Sequence, residues 1–179
     1  MKVVFIRTPK TGSSSIAASL PKGSWKAHET LRYWLGQGVR VPTFAFIRNP
    51  WERLYSWYRH EAYFRRTDFR DYVLSEALTE EYVHGQFRMG IKIADQYEWI
   101  CHEDKYPTCI GRFENLEEDY EAIVGYLNLD AKLPLGHERI NPHLAEYPYS
   151  PTVWTPEMVD HMDPLFGPFA EEFNYQAPA

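Results

Sequence analysis

Directly after Pro9 the chain reads KTGSSS: one lysine, one glycine and four hydroxyl side chains in six residues. Placed between an apolar strand and a helix start, such a loop is a recipe for an anion site. Backbone N–H groups at the start of a helix point at the ligand, and the helix dipole favours negative charge there. Gly12 lets the backbone come close, Thr11, Ser13, Ser14 and Ser15 add hydroxyl donors, and Lys10 adds a full charge. The loop is not a Walker A motif, because its lysine precedes the glycine. The plainer explanation is a serine-capped helix after a turn, and a second loop weighs against it. Arg48 follows a strongly apolar run, and Ser56 comes eight residues later, about two turns into the next helix. The two together suit a second anion. Two anion sites at neighbouring strand ends describe a ligand with phosphates at two positions.

The elements that must hold these residues can be read from their patterns. Val3–Ile6 is short, continuous and rich in β-branched side chains, as a buried parallel strand should be. SSSIAASL predicts a short helix capped by Ser13 or Ser14 and ended by Pro21. Ser24 to Ala27 is a second strand, and Thr43–Ile47 is a third and stronger one. The helix RNPWERLYSWYRHEAYF has a clean start: Asn49 as N-cap, Pro50 at the first helical position and Glu52 where a capping box places its carboxylate. Along it Leu54, Trp57, Tyr58 and Glu61 share one face, and Arg53, Ser56 and His60 share another.

Residues 68 to 105 read as weakly helical. Pro107 to Phe113 predicts a fourth strand, running into NLEEDYEAIVGYLNL with an apolar stripe of Leu116, Tyr120, Ile123 and Leu127. From 131 to 154 the chain is proline-rich and loop-like. A last helix starts at Thr155-Pro156-Glu157 and is predicted to break at Pro164 and Pro168. Alternating strands and helices imply an α/β fold, a parallel sheet with helices on both faces, in one domain over residues 1–179. Ligands of such sheets bind beyond the carboxyl ends of the strands. The segments TPKTGSSS, RNP and RFENL should therefore meet on one edge.

Bulk properties narrow the function classes. A net charge of -6 counts against nucleic acid, which needs a dominant basic face. The charge is nevertheless uneven: Arg48, Arg53, Arg59, Arg65, Arg66 and Arg70 crowd one stretch, and Glu114, Glu117, Glu118, Asp119 and Glu121 another. Most of these are expected to be solvated helix faces, leaving room for a local basic pocket that takes a small anion. Cys101 and Cys109, the two cysteines, rule out a disulfide scaffold and are expected as free thiols. With His102 they make too few zinc ligands, at no recognised spacing, so no metal is expected. No apolar run approaches the ~20 residues of a membrane span. MKVVFIR is too short for the core of a signal peptide, so a cytoplasmic location is expected.

In order and separation, PKTGSSS, FAFIRNPWERLYSWY and GRFENLEEDY resemble the sulfotransferases that use 3′-phosphoadenosine 5′-phosphosulfate, most closely the subgroup containing carbohydrate sulfotransferases. The resemblance runs from Val3 to about Tyr175. It implies a three-layer, P-loop-NTPase-like fold and assigns roles. Lys10, Thr11, Gly12, Ser13, Ser14 and Ser15 match the loop for the 5′-phosphosulfate, and Arg48 with Ser56 matches the pair for the 3′-phosphate. Arg112 and Phe113 match a segment near the nucleotide, where an aromatic ring packs on adenine. The loop HERINPH, with Arg139, Asn141 and His143, falls where the family closes over the nucleotide.

Sulfuryl transfer needs a positioned donor, neutralised charge on the leaving phosphate and an acceptor hydroxyl that loses its proton. Lys10 is the candidate for the developing charge. For the base the sequence offers His28 in WKAHETL, where the resembled family often has a histidine, with Glu29 and then His60 as alternatives. The acceptor is a small molecule or glycan. Tyr33, Trp34, Trp57, Tyr58, Tyr63 and Phe64 are either a sugar-stacking cleft or packing residues. Two other functions use the same fold. A nucleotide kinase would need a Walker A loop and a Mg²⁺-holding acid, and neither is in the sequence. The other is a non-catalytic nucleotide-binding module of the same fold, and the presence of Lys10, Arg48 and Ser56 together argues against decay to it.

Overall fold

Three residues of the first apolar run, Val4–Ile6, form strand β1, and all three are fully buried. The computed structural model describes residues 2–61, 68–75, 95–132, 135 and 153–178. Those residues fall into two compact units, one from 1–48 and 97–139, the other from 49–96 and 140–179.

The first unit is built on a four-stranded sheet, β1 with β2 (Trp25–Ala27), β3 (Thr43–Ile47) and β4 (Cys109–Arg112), in the order β2-β1-β3-β4. Every pairing is parallel, so the α/β expectation holds. β2 begins at Trp25 rather than Ser24, and β4 is shorter than the run from Pro107 to Phe113. Register puts Phe5 beside Phe44 and Phe46 beside Gly111. The rings of Phe5 and Phe44 stack at 4.8 Å. A Cβ at Gly111 would lie 2.5 Å from the Phe46 ring, so the strand needs glycine where that ring crosses it.

Helices α1 (Ser13–Ser19) and α6 (Leu116–Tyr126) cover this aromatic face. Ile16 and Ala17 come from α1, and Tyr120 and Ile123 from α6; Leu127, just after α6, completes its predicted stripe. Val4, Ile6, Ala45 and Ile47, on the opposite face, are just as buried. Burying each large side chain of this kind is worth about 1.5–3 kcal/mol. Two further helices belong to this unit: α2 (Leu31–Gly36) and α5 (Tyr97–Ile100). Sequence patterning missed α2, although Thr30 caps it by accepting the Tyr33 amide at 3.1 Å.

The second unit is helical: α3 (Pro50–Glu61), α4 (Phe69–Leu74) and α7 (Pro156–Glu172). The Asn49 side-chain oxygen accepts the amides of Trp51 and Glu52 at 3.1 and 3.3 Å, as its sequence signal predicts. Trp51 and Leu54 pack with Tyr72, Val73, Met158 and Phe166. Trp57 and Tyr58 lie against the same cluster. One expectation fails here. α7 runs unbroken through Pro164 and Pro168. Each proline costs about 3 kcal/mol inside a helix. The buried stripe Met158, Met162, Phe166 and Phe169 outweighs that cost. Arg53 is an exception among the charges expected to be mostly solvated: it is only 1% exposed, whereas His60 on the same predicted face is exposed.

Candidate functional site

All four strands of the parallel sheet point the same way, so the residues that follow their carboxyl ends lie along one edge. After β1 come Arg7 and the KTGSSS loop, after β2 His28, after β3 Arg48, and after β4 Phe113.

The loop after β1 is shaped by its backbone. Lys10 and Gly12 both take left-handed conformations, at φ 66° and 72°. For a lysine that costs roughly 1–2 kcal/mol, and such outliers persist where a loop has a task. Alternating backbone hands of this sort make concave nests of N–H groups that suit anions. The Thr11 hydroxyl donates to the Thr8 carbonyl at 2.8 Å, and Thr11 is fully buried, so this hydroxyl braces the loop. Gly12 is packed so tightly that a Cβ would sit 2.8 Å from Leu116. Gly12 is also the N-cap of α1, and no side chain caps that helix. This corrects the expectation of a Ser13 or Ser14 cap: the helix begins at Ser13, inside the serine run. Ser13 and Ser15 are buried and Ser14 is half-buried.

His28 leaves the end of β2 against Arg7. The amide of Arg7 donates to the Ala27 carbonyl at 3.2 Å, and the Arg7 carbonyl lies 2.7 Å from His28 Nδ1. A carbonyl can only accept, so Nδ1 carries the proton and Nε2 keeps its lone pair. Trp99 meets the imidazole edge-on at 6.5 Å. Burial and, second, the Arg7 charge pull the His28 pKa down to about 4, against the opposing effect of the Arg7 hydrogen bond. The ring is therefore neutral at pH 7. Neighbouring Glu29 has its carboxyl pushed upward by burial.

At the ends of β3 and β4 the Arg48 guanidinium lies over the Phe113 ring, 4.2 Å from its centre. Arg48 Nη1 also approaches the Lys10 carbonyl at 3.5 Å, which ties the second predicted loop to the first. Arg112 is half-buried, and its amide donates to the Asp119 carboxylate at 2.6 Å.

Lys10 to Ser15, His28, Arg48, Arg112 and Phe113 thus all belong to the first unit and flank its strand ends. Ser56 is half-buried on α3 of the second unit. His60, also on α3, has its ring 6.3 Å from Trp57. Tyr33 and Trp34 sit with Trp25, whose ring stacks on Trp34 at 5.9 Å. Tyr63, Phe64, Arg65, Arg66, Arg139, Asn141 and His143 lie outside the described residues. Sequence reasoning missed Arg7, whose carbonyl and charge act on His28, and Trp99, whose ring meets the imidazole. Only β1–β2 register could have found Arg7, and nothing local marks Trp99.

Among the described residues no group of three or more His, Cys, Asp or Glu side chains could hold a metal ion. None of the described helices is long and apolar enough to cross a membrane. No curated protein and no solved structure gives a match. A family model described as the sulfotransferase family matches residues 1–165, a span that takes in the whole sheet and every strand-end loop described above. With so much of its length accounted for by that one model, the chain belongs to the sulfotransferase family.

Proposed function

We propose that the chain transfers a sulfuryl group from 3′-phosphoadenosine 5′-phosphosulfate to a hydroxyl of a carbohydrate. Family membership supports sulfuryl transfer itself. The observation that carries the choice of donor is the approach of Arg48 to the Lys10 carbonyl at 3.5 Å. It makes neighbours of a loop suited to one anionic group and an arginine suited to another. The donor set fits: one ammonium, one guanidinium and a left-handed loop are the partners that a nucleotide with separated anionic groups requires.

When bound, the donor supplies the sulfuryl group and departs as adenosine 3′,5′-bisphosphate. Lys10 neutralises negative charge gathering on the leaving phosphate oxygen, a role worth most where donors are already in place. The backbone of Gly12 to Ser15 holds the 5′ end. Arg48 takes the 3′-phosphate; Ser56 is assigned to that phosphate by the resemblance alone. Arg112 flanks the nucleotide. His28 Nε2 accepts the proton of the acceptor hydroxyl while the Arg7 carbonyl keeps the Nδ1 proton fixed and the ring oriented. Because the ring is neutral at pH 7, it accepts without first losing a proton.

The carbohydrate acceptor rests on the resemblance of the three motifs to that subgroup. The test is transfer of labelled sulfate from the donor to a panel of glycans, phenols and small alcohols, beside competitive binding of the bisphosphate and ATP–Mg²⁺. Label on glycans with tighter binding of the bisphosphate is the expected result. Tighter binding of ATP–Mg²⁺ rejects the donor, and label on phenols alone rejects the acceptor. Tight bisphosphate binding with no turnover marks a non-catalytic nucleotide-binding module.

A further inference from the structure

We infer that Phe113 is a positioning residue for Arg48 rather than a platform for the nucleotide base: its ring and the Lys10 carbonyl hold the guanidinium at the edge of the phosphate loop. The inference rests on the donor assignment above and deepens it.

Ile47 and Arg112 are register partners on adjacent parallel strands, so Arg48 and Phe113 leave the sheet side by side. Arg48 Cζ stands 4.2 Å from the centre of the Phe113 ring, well inside the ~6 Å reach of a cation over an aromatic face. The same ring borders the loop: a Cβ on Gly12 would come within 3.4 Å of Phe113 Cδ2. The ring thus lies beside both the loop and the arginine, and Arg48 Nη1 approaches the Lys10 carbonyl.

The consequence is energetic. A free arginine side chain loses much rotamer freedom when it clamps an anion. A guanidinium already resting on a ring face has less to lose. The ring face it covers is also closed to a purine. Phe113 therefore acts on the phosphate through Arg48, and its contribution should depend on the 3′-phosphate rather than on adenine.

The experiment measures binding of two ligands, adenosine 3′,5′-bisphosphate and adenosine 5′-phosphate, to wild type, Phe113→Leu, Phe113→Tyr, Arg48→Ala and the Arg48→Ala/Phe113→Leu double variant. Phe113→Leu should weaken the bisphosphate by about three- to tenfold and change the 5′-phosphate by less than about twofold. It should add nothing in the Arg48→Ala background, and Phe113→Tyr should restore the affinity. In the ligand-free protein, Arg48 side-chain NMR signals displaced by the ring current should relax in Phe113→Leu and stay displaced in Phe113→Tyr. This keeps the outcome legible should the leucine variant fold poorly. Equal losses for both ligands, no loss for either, or no ring-current displacement in wild type would overturn the inference while leaving the donor assignment standing. A wild-type protein that fails to bind the bisphosphate overturns the donor assignment, and this inference with it.

Discussion

The helices that follow β1 and β3 start in opposite ways. α3 begins on Asn49, whose side chain accepts two of its first amides, with Pro50 at the first helical position. α1 begins on a left-handed Gly12, with no side-chain cap, after a left-handed Lys10. One start has a side chain that accepts its first amides; the other has a glycine with no side chain to do so. The first is what a helix needs for stability, worth about 1 kcal/mol. The second carries strain of similar size, of the kind that marks loops with a task. The anion-binding task proposed for the end of β3 falls to a side chain, Arg48, and that proposed for the end of β1 to the backbone and Lys10.

Lys10→Ala tests the β1 loop most severely. The rate of sulfuryl transfer should fall by about 10²–10³-fold. Thermal unfolding should scarcely move, because alanine meets the same left-handed penalty as lysine at φ 66°. A variant that retains more than about a tenth of the rate would remove Lys10 from the chemistry.

His28 belongs to neither loop, and pH sharpens its separate role. Its pKa is about 4 in the folded chain against an ordinary 6.5. Between those values the unfolded chain binds a proton that the folded chain does not. Stability is therefore full above about pH 6.5 and declines as pH falls toward 4, by up to about 3 kcal/mol. His28→Gln should flatten this part of the stability curve. If His28 is the base, the acid limb of kcat/KM in wild type should lie near pH 4 rather than near 6.5. A limb at 6.5 would mean that another group titrates.

Gly12→Ala should cost about 1–3 kcal/mol, from the positive φ and from a Cβ 2.8 Å from Leu116. It should weaken bisphosphate binding as well, because alanine is strained at the left-handed φ of 72° that shapes the loop. Asn49→Ala should cost only about 1 kcal/mol, or about 2–4 °C in Tm, and leave bisphosphate affinity unchanged. Parallel measurement of Tm and Kd on the two variants checks this pair. If both lose affinity alike, the contrast between the uncapped start and the capped one fails.

What could be read from sequence was local. The buried run Thr43–Ile47, the Asn49 cap and the Leu116, Tyr120, Ile123, Leu127 stripe depend on residues within a few positions of each other, and all three hold. The helix Leu31–Gly36 was missed because only Leu31 of it is buried, so no apolar periodicity announces it. The break expected at Pro164 and Pro168 failed for the converse reason. A local cost was visible, while the gain from burying Phe166 against Trp51 was not.

The candidate site divides in the same way. That KTGSSS and Arg48 suit anions followed from residue type and from their place after apolar strands. Parallel pairing in the order β2-β1-β3-β4 alone decided that Arg7 stands beside His28 and Phe113 beside Arg48. Residue chemistry is a property of the chain, readable one position at a time. The protonation state of a histidine and the aim of an arginine depend on neighbours tens of residues away, and those are chosen only when the strands pair.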